Sequence, residues 1–260
     1  MLKGTQINKI ETMVDTSTSP QIMWLGHATF KVKLTVDGQE RVVYFDPWLE
    51  NPKFPESCKT DSYPDDADLI LISHGHFDHS ASAKQLCESS KKPDCKVACI
   101  FEIGQVLTKM QGMAEDKLLL MNKGGSNDQG WCKLSMTSAD HSSSCGFHEG
   151  HLIDGGAPAG WVLRFSNGAS VYHAGDTGVF GDMQIINELY RPTHLLLPIG
   201  GNFTMGPEEA CYAVRKFFHH AHTVVPMHFG TFPLLKGTYE EFKAEMDNEG
   251  VDKKVVDSYN

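Results

Sequence analysis

The chain has 260 residues, a formal net charge of −10 and a pI near 5.7. That length can bury a substantial core, in one large domain or two small ones. The acidic excess, with no offsetting basic stripe, argues against a nucleic-acid partner held through its phosphates and leaves a small-molecule substrate as the expectation. Seven cysteines, an odd number without a CxxC pair, fit a reducing compartment. No apolar run reaches signal-peptide or membrane-span length, so a soluble, cytoplasmic protein without a membrane span is expected.

In chain order, residues 1 to 20 are polar and rich in Ser and Thr and read as a loose N-terminal extension. Residues 21 to 260 contain no low-complexity linker and read as a single domain. The segments "QIMWLGHATFKVKL" and "RVVYFDPWL" are strand-like, joined in a hairpin at Asp37-Gly38, which leaves His27 and Asp46 at strand ends. "ADLILIS" is wholly apolar, the pattern of a strand covered on both faces, and "SAKQLCESSKK" after it has helical character. "KVACIF" and "KLLLMN" are strand candidates flanking a predicted helix at Gly104 to Met113. "CKLSMTSADHS" is a strand running into His141, and "GWVLRFSNGASVYHAGDTG" is a hairpin around Asn167-Gly168. "DMQIINELY" predicts a helix, "HLLLPIG" a strand, "GPEEACYAVRKFFHHA" a helix with Pro207 in its first turn, and "HTVVPMHFG" a strand. A last helix is expected at Thr238 to Glu249. Hairpins mixed with strand-helix alternation imply an α/β fold with sheets between helix layers, its two halves compatible with a weak duplication.

Strand ends repeatedly receive metal-liking residues. In "HGHFDH", His74 and His76 project from one side of an extended segment, whereas Asp78 and His79 fall where the chain turns into a helix and can face a second point. Two ions need about six to eight protein ligands, so others must come from elsewhere: His141, Asp176 and His228 are the candidates. Any one of these histidines alone would be read as a cap or a solvated side chain; the cluster is hard to explain that way.

"HGHFDH" followed by "ADHS", "YHAGDT" and "PMHFGT" resembles the metallo-β-lactamase superfamily. The likeness extends over "WLGHATF", "FDPWL", "GGAPAGWVLRF", "LLLPIGGNFTMGPEEA" and "PMHFGTFP", from about Met23 to Pro233. It is closer to the metal-dependent hydrolases related to ascorbate-6-phosphate lactonase and, more distantly, to N-acyl-phosphatidylethanolamine phospholipase D. The resemblance implies a four-layer αββα sandwich with a dinuclear site along one sheet edge. It further implies that His74, His76 and His141 bind one metal, that Asp78, His79 and His228 bind the other, and that Asp176 bridges them. True β-lactamases of the superfamily place a cysteine where Asp176 stands, so antibiotic hydrolysis is not expected. Relatives in this branch often form homo-oligomers.

The expected reaction is hydrolysis of a small ester-like bond by a metal-bridging hydroxide, a phosphodiester first and a lactone second. Asp78, His27 or water would protonate the leaving group. Zinc is the default metal, with manganese, iron or nickel compatible with the same nitrogen-and-oxygen donor set. His27 and Asp46 are expected to support the ligands or touch substrate. His173 could orient Asp176 or be a buried structural histidine, His148 and His151 could line the pocket, and Cys145 is expected to be an inert thiol. Thr204 is read as a helix N-cap. A non-catalytic metal- or partner-binding module and a processing nuclease are the rival readings.

Overall fold

The computed structural model describes residues 19–257; the extension expected at residues 1–20 therefore lies almost wholly outside the described residues. The first half of the chain builds one six-stranded sheet. It begins as an antiparallel meander, β1 (Gln21–Trp24), β2 (Phe30–Val36) and β3 (Gln39–Phe45), then adds β4 (Leu69–Leu71), β5 (Lys96–Ile100) and β6 (Leu118–Met121) in parallel. Parallel neighbours need crossovers: residues 46–68, with a 3-10 turn at Glu56–Cys58, join β3 to β4, α1 (Phe77–Ser80) and α2 (Ala83–Ser89) join β4 to β5, and α3 (Phe101–Lys109) joins β5 to β6.

The second half repeats that plan in a seven-stranded sheet. Strands β7 (Ser126–Asp128), β8 (Cys132–Ser138), β11 (Ala159–Phe165) and β12 (Ser170–His173) are antiparallel. They pass into parallel β13 (His194–Pro198), β14 (Thr223–Met227) and β15 (Lys254–Val255), with α4 (Met183–Tyr190), α5 (Pro207–Phe217) and α6 (Tyr239–Asn248) between them. The small hairpin of β9 (Ser144–His148) and β10 (His151–Asp154) stands apart from both sheets.

The sheets meet face to face, giving the expected αββα sandwich. Trp161 on β11 is fully buried and donates from Nε1 to the Ile72 carbonyl at 3.1 Å across the interface. The His173 ring stacks on Phe45 at 5.2 Å. β4 is buried throughout, and β5, β13 and β14 are buried after their first residue, as their continuous apolar runs require. No helix among the described residues is long and apolar enough to cross a membrane.

Three local readings need correction. The first strand-like segment is cut in two: Leu25 N donates to Thr29 O and Thr29 N to Gly26 O, closing a tight turn whose tip is Gly26-His27. A Cβ at Gly26 would lie 2.1 Å from Asn51 Oδ1, so the close approach demands glycine. Helix α3 begins at Phe101 rather than at Gly104, which lies inside it; a Cβ there would meet Leu120 Cδ2 at 2.2 Å. The N-cap of α5 is Gly206 rather than Thr204, and the Glu209 carboxylate accepts from Gly206 N at 3.0 Å, occupying the amide an external anion would use.

Candidate metal centre

The strand ends of both sheets converge on one place. His74 and His76 follow β4 in a bent segment in which His76 itself is extended, and α1 then turns the chain so that Asp78 and His79 leave in another direction. His141 follows β8, Asp176 follows β12, His228 follows β14 and Asp46 follows β3. His27 sits in the β1–β2 turn. The structure thus brings together every ligand the sequence proposed, with His27 and Asp46 beside them.

Two donor clusters result. Nitrogen atoms of His74, His76 and His141 lie within 4.8 Å of one another, and a second group of the same compactness joins Asp78, His79 and His228 with His27. Asp176 Oδ2 lies between the clusters: it is 2.9 Å from His228 Nε2, 3.3 Å from His79 Nε2, 3.6 Å from His141 Nε2 and 3.9 Å from His74 Nε2.

Hydrogen bonds on the far side of the rings fix where the inward nitrogens point. The single Ser73 hydroxyl hydrogen goes to Asp46 Oδ2 at 2.6 Å, so Ser73 Oγ accepts from His74 Nδ1–H at 2.9 Å. His74 therefore offers an Nε2 lone pair. His79 donates Nδ1–H to the same Asp46 oxygen at 2.7 Å and presents Nε2 inward, while Ser73 N donates to Asp46 Oδ1 at 2.7 Å. Asp46 is fully buried and holds two rings at once, the outer carboxylate arrangement that orients metal-ligating histidines. The sequence placed Asp46 near the site but gave no role to Ser73, whose only signal was its position directly before His74 at the end of an apolar strand.

The inward atoms meet one another rather than a full set of protein partners: His76 Nδ1 lies 2.9 Å from His74 Nε2, and the ion-pair contacts of His228 Nε2 and His79 Nε2 with Asp176 Oδ2 lack hydrogen-bond geometry. Asp176 Oδ1 and His228 Nδ1 are buried without a hydrogen bond, although buried polar groups are otherwise almost always satisfied. The electrostatics point the same way. Burial opposes ionisation of Asp176, but the charges of His228 and His79 hold its carboxyl well below the usual range. Burial equally opposes a charged His79, yet the carboxylates of Asp176, Asp46 and Asp78 raise it well above an ordinary imidazole. Burial, with His79 next to it, lowers His74. Donor atoms crowded around two buried carboxylates form a pocket that favours positive charge, and imidazole and carboxylate donors suit divalent zinc, manganese, iron or nickel. The residues present fit a pair of such ions.

Backbone strain is concentrated here. His27 (φ 54°), Asp46 (φ 42°) and His228 (φ 55°) are all left-handed without being glycine. Each costs about 1 kcal/mol or more, tolerated where the surroundings over-determine the conformation.

His27 is fully buried between Asp78 and Thr231, its Nε2 3.0 Å from Asp78 Oδ2 and its Nδ1 2.6 Å from Thr231 Oγ1. Burial and then His228 lower its pKa to about 4. Burial would raise Asp78, but His79 and the His27 bond hold its carboxyl far below the usual value. Thr231, three residues after His228, carried no sequence signal of its own. His173 is a structural histidine: it donates from Nε2 to Ala28 O at 2.9 Å and accepts from Gly175 N at 3.1 Å, anchoring the loop that carries Asp176. His148 and His151 are exposed on the small hairpin and do not line the cavity, which is reached instead by Cys145 on the same hairpin. Burial, and then Asp154, push the Cys145 thiol up to about 11.

A cavity of about 740 Å³ opens onto the centre, with His76, Asp78, His141, Asp176 and His228 in its wall. Its wall also includes apolar side chains, Ile103, Val106 and Leu107 of α3 with Phe203, Phe232 and Leu234, alongside the polar Ser142, Ser144 and Gln111. Among the described residues, no lysine or arginine lines it.

Residues 41–229 match the family described as the Beta-lactamase superfamily domain. A UPF0173 metal-dependent hydrolase of Rubrobacter xylanophilus is 42% identical over 236 residues, covering 90% of this chain and 92% of its own length. One of Solibacter usitatus is 44% identical over 225 residues, 86% of this chain and 90% of its own. Igni18, a metallo hydrolase of the hyperthermophilic archaeon Ignicoccus hospitalis, has a solved structure that matches with a TM-score of 0.73 at 33% identity, covering 92% of this chain and 94% of that one. With the sandwich, the converging donors and these likenesses together, the chain belongs to the β-lactamase superfamily and, within it, to the family of UPF0173 metal-dependent hydrolases.

Proposed function

We propose that this chain uses two divalent ions, zinc by default, to hydrolyse a neutral ester-type bond, a lactone or simple carboxylic ester bearing an apolar substituent. In this reading His74, His76 and His141 hold one ion, Asp78, His79 and His228 the other, and Asp176 lies between them. Residues 21 to 260 act as one domain, because each half supplies part of the ligand set. The observation that carries the reading is the group of buried, under-satisfied donor atoms around Asp176, beside a cavity whose wall includes much apolar surface.

When bound, two such ions supply Lewis acidity toward a substrate oxygen and acidify a water toward neutrality. The chain's own residues hold the donors in place. Asp46 and Ser73 fix the rings of His74 and His79, and His173 fixes the Asp176 loop. His27, kept neutral by burial, gives its Nε2 proton to Asp78 and accepts the Thr231 hydroxyl at Nδ1, which makes it a positioning residue for the Asp78 carboxylate. Asp78 is held ionised and has no proton to give, so protonation of the leaving group falls to water.

The cavity favours the lactone or carboxylic ester over a phosphodiester. Among the described residues it brings no lysine or arginine to a phosphate, and Ile103, Val106, Leu107, Phe203 and Leu234 give it aliphatic and aromatic surface. The test is turnover of the zinc- or manganese-loaded protein on γ- and δ-lactones and p-nitrophenyl carboxylic esters, beside bis(p-nitrophenyl) phosphate. Faster hydrolysis of the first group, rising with the length of the apolar chain, is expected. Preference for the phosphodiester would overturn the substrate class, and no turnover of any of them would overturn the hydrolytic reading.

A further inference from the structure

At the end of the second sheet opposite the metal centre, the strand pairing sets up a row that hydrophobic packing does not explain. Lys133 on β8 stands directly across from Arg164 on β11, and Arg164 directly across from Ser170 on β12. Residues paired in register share a face of the sheet, and like charges placed opposite each other destabilise it. Among the described residues no carboxylate forms an ion pair with Lys133, Arg164 or Arg191. Asp128, at the outer end of the row, accepts from Gly130 N at 2.8 Å.

The row opens into a cleft of about 450 Å³ that includes Lys133, Arg164, Ser170, Arg191 and Asp128. Arg191 reaches it from the end of α4, where it takes a left-handed conformation at φ 49°. Two atoms in this cleft are buried and unsatisfied: Ser170 Oγ, on a residue only 2% exposed, and Arg164 Nε. The Arg164 guanidinium lies over the Tyr190 ring at 5.6 Å, which keeps it at the cleft. A hydroxyl and a guanidinium N–H, both unpartnered, beside two further cations form a donor set for a compact oxyanion. The three cations less Asp128 leave a local charge of about +2, against the acidic chain as a whole.

We infer that this cleft is a second ligand site, separate from the metal centre, that binds a phosphate-type dianion, either inorganic phosphate or a small phosphomonoester. Arg164 and Ser170 supply the buried donors, and Lys133 and Arg191 supply charge at the mouth.

The inference is tested by calorimetric titration of the metal-loaded protein with inorganic phosphate and with ribose 5-phosphate at constant ionic strength. Arg164→Gln, Lys133→Gln and Asp176→Asn are titrated alongside the parent. Saturable binding that weakens about tenfold or more in Arg164→Gln and Lys133→Gln, and persists in Asp176→Asn, is expected. Tighter binding of ribose 5-phosphate would make the ligand an ester, and equal binding would make it phosphate itself. Because Lys133 is exposed, Lys133→Gln carries the test if Arg164→Gln folds poorly. No binding by the parent, unchanged binding by both cleft variants, or loss of binding confined to Asp176→Asn would each overturn the inference.

Discussion

Replacing Asp176 with Asn keeps the side-chain volume and removes one negative charge from a site where its Oδ2 lies within 4 Å of four imidazole nitrogens. At an effective dielectric near 20, unit charges 4 Å apart interact by about 4 kcal/mol, and a divalent ion doubles that figure. Desolvation offsets part of this; removing one partner from a buried charge pair typically leaves a net loss of about 3–5 kcal/mol. The affinity for at least one ion should therefore fall by roughly a thousandfold. With free metal at a thousand times the parent's Kd, a bound ion contributes about 4 kcal/mol of stability, and a thousandfold weaker site contributes about 0.4. At about 2–4 °C per kcal/mol for a chain of this size, Asp176→Asn should melt about 7–14 °C below the metal-loaded parent. After free metal is removed, elemental analysis should find two ions per chain in the parent and one or fewer in the variant. A variant that keeps two ions and melts with the parent would refute the placing of Asp176 between the metals.

Asp46→Asn should weaken metal binding by about 10–100-fold, read by competition with a chelating dye, because Asp46 aligns both His79 and, through Ser73, His74. Thr231→Val leaves His27 Nδ1 without its partner; kcat should fall while metal content stays at the parent value, and a loss of metal would count against a purely positioning role for His27. The thiolate is the reactive form of Cys145, and its pKa of about 11 makes it scarce at neutral pH. Its alkylation by iodoacetamide, followed by peptide mass spectrometry, should rise about tenfold per pH unit from 8 to 10, and rapid labelling at pH 7 would contradict that environment. Trp161→Ala, which removes the largest fully buried side chain at the sheet interface, should cost about 3–5 kcal/mol in denaturant unfolding of metal-free protein.

Much of this architecture was legible in the sequence because burial writes itself into composition. Strands covered on both faces, such as β4 and β13, read as unbroken apolar runs, and the six-residue histidine segment has no cheap structural explanation. What escaped depended on distant partners. The β1–β2 turn follows from Gly26 packing against Asn51, and α3 contains a glycine because Leu120 presses on it. Strands β7, β9, β10 and β15 are short, with little of their surface buried, and exist through backbone pairing that no local hydrophobic pattern announces. In the site, the ligands carried their own chemical signal, whereas Ser73 and Thr231 are ordinary hydroxyl residues until the fold sets them against Asp46, His74 and His27.

The division of the sheets between the two halves of the chain bears on how the protein comes into being. Synthesis runs from the N-terminus at roughly 5–20 residues per second. The histidine-rich loop after β4 and its Asp46 brace are made with the first sheet, but His141, Asp176 and His228 come from the second. An incomplete chain would hold the first-half imidazoles with Asp46 and Asp78 but without Asp176, so on the proposed ligand set each ion would have only part of its donors. On the proposed ligand set, retention of both ions begins only when β14 has joined its sheet and delivered His228, so stoichiometric metal is the mark of a chain whose halves have docked.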